Sequence, residues 1–434
     1  MKKILLLGWL VLLFSACQKH EDEVAPEDLP DARLEKALTD YKAQLTEAQY
    51  GWKAMLYPKG GQVYSFLMKF SPTDRVTMAG DIDPSTGIPL ESSYRLKAMQ
   101  QPSLLFDTYS HLHILADPDP KKSNGEVGEG KYSDFEFYFE SATAETITLK
   151  GQRHGSRLVL TKATQAQADS YNTNIGAYVG AIAHLNSFAT YFKRLTIGTK
   201  MYDIQVNNAD RTIMFMYFTG ETASTFTSGF YYSDEGLVLL RPFTHEGQSI
   251  SLLKGLQFTP GSSQINLTVN NVAATVREAA RPVKVDVQGA RGFYNSATGE
   301  DYWVGETGFT VNGVSDALHL NDLSDFYFLA LWPKFGVSSN VIYDLMGFVK
   351  VNAEGTALEI AYGPAATSRL TADGRIVYTY LGILGTVPSP EEPAVTAVQQ
   401  MWTDPEGFFV VAYGDNIDLV SAKDGKTWLS TFRP

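Results

Sequence analysis

From residue 52 onward, apolar and polar positions alternate in short runs such as WKAMLYP, VYSFLMKF, RVTMAGDI, FEFYFES, TITLKG and RLVLTKA. Each run is rich in β-branched and aromatic residues and stops at Gly, Pro, Asp or Ser, so each reads as an antiparallel strand. The segment ahead of them, DARLEKALTDYKAQLTEAQ (31–49), keeps the helical period instead. Leu34, Ala37, Leu38, Tyr41 and Leu45 share one face, charges occupy the other, and Asp31 suits the N-cap.

The plan of a helix followed by strands recurs. TNIGAYVGAIAHLNSFATY (173–191) predicts a second helix, and MYDIQVNNADRTIMFMYFTG (201–220) echoes VYSFLMKFSPTDRVTMAG (63–80), with Asp74-Arg75 aligned to Asp210-Arg211. SLLFDTYSH (103–111) aligns without gaps to LVLLRPFTH (237–245), so Tyr109 meets Phe243, Ser110 meets Thr244 and His111 meets His245. A weaker third copy lies near the C-terminus. TDPEGFFVVAYGDNIDLV (403–420) resembles SDEGLVLLRPFTHEGQSI (233–250), with Asn416 in the His position, and NVIYDLMGFVKVNAEGTALEIAY (340–362) resembles YDIQVNNADRTIMFMY.

So long a repeat implies duplicated domains and not a short-repeat solenoid; the competing reading is a chance alignment of generic strands. The expected fold class is mainly β (α+β), with tandem antiparallel β-sheet units each preceded by an amphipathic helix. The expected divisions are 1–17 signal peptide, 18–30 tether, 31–165 first unit, 166–280 second unit related to the first, and 281–434 third unit. Linkers are expected near QAQADSYN (165–172) and REAARPVKVD (277–286).

The N-terminus adds location. MKKILLLGWLVLLFSAC has two lysines, an apolar run too short to span a bilayer, and small residues before Cys17, the one cysteine of the chain. This is the order of a lipobox, with Phe14 where Leu is more usual, so Cys17 is the expected lipidation site; an ordinary signal peptide is the alternative. The following QKHEDEVAPEDLP is acidic and aperiodic and reads as an unstructured tether. Its Glu21-Asp22-Glu23 run resembles the export signal that sends Bacteroidetes-type lipoproteins to the outer face of the outer membrane, with a solvated linker as the competing reading.

Composition then narrows the classes. One cysteine excludes an intramolecular disulfide and a cysteine metal cluster. The formal net charge of −12 argues against nucleic acid and anionic lipid headgroups as partners, because both require a basic surface.

Candidate chemistry concentrates in SLLFDTYSHLHILADPDP (103–120). Read as a strand, it places Asp107, Tyr109, His111 and His113 on one face, and His-x-His with a carboxylate is a zinc pattern. No further ligand is marked elsewhere, and His113 faces Gly247 in the second copy, so the stronger reading is a strand with a polar end. Metal candidates are Asp107, His111 and His113. GFYNSATGEDYWVGE (292–306) sets Tyr294, Tyr302 and Trp303 in turn-like sequence and is a candidate ligand-contact patch; most of the 23 Tyr, 24 Phe and 6 Trp are expected in the core. DIDPSTG (81–87) lacks the glycine of a calcium loop and reads as a turn, and DPDPKKSNGEVGEGKY (117–132) as a long mobile hairpin loop. The chain contains no G-x-S-x-G elbow, H-E-x-x-H helix or P-loop.

Tyr50 to Lys53 (YGWK), LYPKGG (56–61), FDTYSHLH (106–113), DFEF (134–137) and LKG (149–151) together resemble a Bacteroidetes lipoprotein family of unknown function. The resemblance covers most of the chain and implies an accessory lipoprotein encoded beside TonB-dependent transporters and partner lipoproteins in nutrient-import loci. It carries no established site residues. The expected role is therefore a non-catalytic one at the outer membrane, held by the N-terminal lipid and facing outward: binding a glycan or peptide ligand, or assembling an uptake complex, with no cofactor. The alternatives are a cell-surface hydrolase or metal-dependent enzyme, and a structural surface component.

Overall fold

The alternating runs become strands, and the strands close on themselves. The computed structural model describes residues 30–352 and 354–434; Cys17, Glu21, Asp22 and Glu23 lie outside the described residues. Helix α1 (Pro30–Glu47) buries Leu45 fully and Leu34, Ala37, Leu38 and Tyr41 in part, as its period predicts. Tyr41 stacks on Phe139 at 3.8 Å, and Trp52 Nε1 donates to the Leu45 carbonyl at 2.9 Å.

The strands that follow are β1 (Trp52–Tyr57), β2 (Tyr64–Phe70), β3 (Arg75–Gly80), β4 (Leu90–Ala98), β5 (Pro102–Phe106), β6 (Glu136–Ala142), β7 (Thr146–Gly151) and β8 (Arg157–Lys162), with the short helix α2 (His111–Ala116) between β5 and β6. They form a closed barrel in sequence order. Closure removes the unpaired edges that an open sheet would offer to other chains.

Helix α3 (Gln165–His184) leads the second barrel. Its strands are β9 (Phe192–Ile197), β10 (Lys200–Asn207), β11 (Thr212–Thr219), β12 (Thr222–Ser233), β13 (Gly236–His245), β14 (Gln248–Phe258), β15 (Gln264–Val269) and β16 (Val272–Ala279), and β16 pairs back onto β9. Tyr202, Ile204, Ile213, Phe215, Phe243 and Ile265 are buried, at alternate positions on their strands as a filled barrel interior requires. The ladder breaks in β13 at Arg241-Pro242, where proline has no N–H to give; the β13–β14 register shifts there between Val238 and Phe243.

The third sheet begins after helix α4 (Gly289–Ser296). It contains β17 (Trp303–Gly305), β18 (Phe309–Val311), β19 (Phe326–Ser338), β20 (Val341–Val351), β21 (Leu358–Leu370), β22 (Arg375–Gly385), β23 (Phe408–Tyr413), β24 (Asn416–Ser421) and β25 (Thr427–Phe432), with α5 (Glu392–Trp402) before β23. The order is β17-β19-β20-β21-β22-β23-β24-β25-β18, and a Val304–Phe432 pairing joins β17 to β25. Three tandem antiparallel barrel-like sheets, each preceded by a helix, are the expected fold class. By packing, the described residues divide into two units: one holds those up to Ala54, Met68–Met78 and Glu91–Ala163, the other those of Met55–Leu67, Ala79–Leu90 and Thr164–Pro434.

Several local expectations are corrected. The second helix begins at Gln165, not 173, so the predicted linker 165–172 forms its first two turns. Thr164 and Gln167 make a reciprocal capping box, Thr164 Oγ1 accepting from Gln167 N and Gln167 Oε1 from Thr164 N, which outweighs the polarity of QAQADSYN. The hairpins β2–β3 and β10–β11 do occupy equivalent places, but Asp74-Arg75 and Asp210-Arg211 are offset by one. The left-handed residue before the returning strand is Asp74 in one (φ 59°) and Arg211 in the other (φ 52°). In the third sheet, β20–β21 and β23–β24 are each one strand further on than the hairpins they resemble, so those similarities are of hairpins with polar turns. DIDPSTG does form a turn, a 3-10 turn at Pro84–Gly87 capped by Asp83. Residues 117–132 are not an open hairpin: Asp119 caps a turn of helix, Gly128 N donates to Pro118 O and Lys131 N to Leu115 O.

Candidate functional site

The predicted metal strand is not a strand. β5 ends at Phe106, and Ser110 starts α2, so Asp107, Tyr109, His111 and His113 do not share a strand face. The Ser-x-x-His spacing makes a capping box, and Leu112 and Leu115, three residues apart, bury the helix; this helical period overrides the apparent alternation. Asp107 accepts from Arg95 Nη2 at 2.7 Å. Tyr109 Oη donates to Asp117 Oδ2 at 2.8 Å, and His111 is buried.

His113 lies between Phe135 and Tyr109, with centroids at 4.3 and 5.5 Å. Its Nδ1 accepts from Ser110 N at 3.1 Å, the Phe106 backbone also hydrogen-bonds the ring, and burial lowers its pKa. The imidazole has these protein partners, and no group of three or more metal-ligating side chains occurs among the described residues. The alignment of His111 with His245 fails for the same reason: His245 ends strand β13, whereas His111 opens a helix.

The second candidate patch is dispersed. Tyr294 lies on α4, half-buried, with Lys334 Nζ at 5.1 Å from its ring and Asp344 beside its hydroxyl. Trp303 is buried edge-on against Phe293 at 4.9 Å, and Tyr302, next in sequence and so on the opposite face of the chain, stacks on Trp332 at 5.0 Å. The turn-like composition of 292–306 conceals a helix and a core strand.

What the tertiary structure assembles instead lies on the outer face of β10–β12. Alternation puts Met201, Asp203, Gln205 and Asn207 of β10 on that face, and the register sets Asp203 beside Met216, Gln205 beside Met214 and Asn207 beside Thr212. The end of this face carrying Gln205, Asn207 and Asn208 joins Tyr413, Asp418, Trp428 and Ser430 of the third sheet around a cleft of ≈ 520 Å³. Asn186, Thr212 and Thr227 complete much of its polar wall. A small cluster of Tyr191, Phe192, Phe409, Val420 and Ala422 packs beside it, with Trp428 partly buried against that cluster.

Asp418 is the charged group in this cleft. It is 2% exposed, and burial pushes its carboxyl up to about 6 although Tyr191 Oη donates at 2.7 Å, Tyr413 Oη at 3.1 Å, and Ser430 also bonds it. Gln205 Nε2 donates to Tyr191 O at 2.6 Å, which fixes the amide at the cleft wall. Tyr191 meets Trp428 edge-on at 5.8 Å, and Lys193 Nζ lies 5.7 Å from the Trp428 ring. Partly exposed aromatic rings beside amides, hydroxyls and one carboxylate can hold a ligand with both C–H faces and hydroxyl edges. None of these residues was singled out in the sequence.

Residues 22–259 match the family described as "Domain of unknown function (DUF4302)", more than half of the chain. The chain belongs to the DUF4302 family. The DUF4302 match takes in the first barrel and stops one residue after β14, before the two strands that close the second. No curated protein matches. Among solved structures, the octameric penicillin-binding protein homologue from Pyrococcus abyssi shares 8% identity over 38% of this chain with a TM-score of 0.16. The chain spans 41% of that protein's length. The DNA polymerase sliding clamp from Caulobacter crescentus shares 7% identity over 92% of this chain and 97% of its own, with a TM-score of 0.13. Among the described residues, no helix is long and apolar enough to cross a membrane.

Proposed function

We propose that this DUF4302 protein is an outward-facing outer-membrane lipoprotein, anchored through Cys17, that binds a saccharide without transforming it and serves a TonB-dependent uptake complex. The observation that carries the binding role is the cleft of ≈ 520 Å³ in which Trp428 and Tyr413 stand beside Gln205, Asn207, Asn208 and Asp418. Its volume falls within the ~300–1,000 Å³ range of small-molecule sites, and its mixture of rings and fixed amides suits the alternating apolar faces and hydroxyl edges of a sugar. The lipobox, the acidic residues behind it and the family resemblance support the location.

The hydrolase reading has less support, because Asp107, His111 and His113, on which it rested, do not share a strand face; Asp107 is held by Arg95, and His113 by Ser110, Phe106 and Phe135. Calorimetric titration of the full chain with a panel of mono- to trisaccharides tests the binding role. The expected result is saturable binding that Trp428→Ala weakens by about ten-fold or more; a folded protein that binds no member of the panel would defeat the saccharide reading. Protease shaving of intact cells, with Cys17→Ser as the unanchored control, tests the location.

A further inference from the structure

The cleft between β10–β12 and the third sheet has a charge pattern as well as a shape. No Lys, Arg or His is among the described residues that line it, and its one charged side chain is Asp418. A second carboxylate, Asp210, lies behind the wall, where Asn207 Nδ2 donates to it at 2.8 Å and Asn207 Oδ1 accepts from its backbone N at 3.0 Å. Lys193 comes near without supplying a counter-ion. Its Nζ lies 5.7 Å from the Trp428 ring, but the residue is 6% exposed and donates to Thr190 O and Tyr191 O at 3.3 Å each, and burial pushes its amine down to about 8. An anion entering the cleft would give up water without meeting a cation. The formal net charge of −12 on the chain opposes its approach as well.

The hydrogen bonds within the wall set the same bias. Tyr413 Oη donates to Asp418 Oδ2 at 3.1 Å and Ser430 bonds the same carboxylate, so each of these hydroxyls, neither of them buried, has spent its one proton. Toward a ligand they can only accept. Gln205 has given an N–H to Tyr191 O at 2.6 Å and keeps its amide oxygen as an acceptor. A sugar hydroxyl can donate to such oxygens, whereas an ionised carboxylate or sulfate, which only accepts, meets them as repulsion. Asp418 is not free to hold an ammonium group either. It is 2% exposed and its oxygens already take Tyr191, Tyr413 and Ser430.

We infer that the cleft selects uncharged saccharides and rejects acidic ones, uronates and sulfated sugars alike. The inference rests on the saccharide-binding reading and narrows its ligand class.

The test is calorimetric titration of the full, unaltered chain with matched sets: glucose, glucuronate and the methyl ester of glucuronate; galactose, galacturonate and its methyl ester; N-acetylglucosamine and its 6-sulfate. The neutral sugar of at least one set is expected to bind saturably and its acidic counterpart about ten-fold or more weakly. The ester, larger than the acid but uncharged, is expected to recover most of the difference. Thr227→Lys, at an exposed position in the wall, is expected to strengthen binding of the acid by about ten-fold. An acid that binds the unaltered chain as tightly as its neutral counterpart, or more tightly, overturns the inference and leaves the saccharide reading standing. An ester as weak as the acid makes size the cause and overturns it too. Absence of saturable binding by every member defeats the saccharide reading itself, and the inference with it. None of these outcomes depends on a variant folding.

Discussion

Arg75 and Arg211 stand in equivalent hairpins of the first and second barrels, each after an aspartate, and their fates are opposite. Arg75 opens β3, is 42% exposed, and bonds Glu91 at 3.0 Å on the surface. Arg211 sits one position earlier relative to its strand, in the left-handed residue of the turn, and is 4% exposed. It donates to Val63 O and Asp81 Oδ2, each at 2.9 Å, and to the Asp81 carbonyl, with its guanidinium 4.0 Å from the Tyr64 ring. Asp81, wholly buried, also accepts from Ser65 N at 3.0 Å and Tyr232 N at 3.1 Å. A shift of one residue in a turn separates a screened surface pair from a saturated interior network, and no motif distinguishes them.

The largest expected effect breaks the buried side of this comparison. Arg211→Ala leaves the Asp81 carboxylate buried without its cation and should cost about 3–5 kcal/mol in urea unfolding. Asp81→Leu with Arg211→Met should recover much of that loss; if the double variant is as unstable as the single one, the penalty is not that of an unpaired charge.

Asp418 sharpens the comparison, because it is a buried carboxylate with tyrosine hydroxyls in place of a guanidinium. Burial raises its pKa to about 6, above the usual carboxylate value near 3.9. Its protonated form is thus favoured in the folded state. The resulting stability is complete below about pH 4 and is lost as pH rises through 6, to the extent of about 2–3 kcal/mol. Asp418→Asn should flatten that part of the stability profile, and an unchanged slope between pH 4 and 6.5 would contradict the assignment.

Tyr171 of α3 tests how far the Arg211 network extends. Its hydroxyl lies 2.8 Å from both Ser65 Oγ and Ser65 O, so Tyr171→Phe should cost about 1 kcal/mol. Arg75→Ala should be the smallest change, between zero and about 1 kcal/mol and shrinking in high salt. A loss at Arg75 comparable to that at Arg211 would erase the contrast between the two hairpins.

Period-two alternation marked most strands, and period 3.6 marked α1, because both patterns are set by neighbours in the chain. α3 was found but entered late, since its capping box lies in a stretch whose polarity resembles a linker. α2 was missed because a helix of six residues and a strand of similar length place apolar residues almost alike; Ser110 and the Leu112–Leu115 spacing were the available signals. The aromatic patch failed differently. Tyr302 and Trp303 are adjacent in sequence and face opposite ways, so a concentration of rings along the chain was not a concentration in space.

The sequence by itself determined the type and tandem repetition of the elements and offered one lipidation candidate, because these rest on local periods and short contiguous motifs. Tertiary structure alone decided which charges are buried, what the histidines bond, and where cavities form. Asp81 and Arg211 meet across 130 residues and Tyr191 and Asp418 across 227. Burial of each pair depends on how closed sheets pack, and that packing has no local period to read.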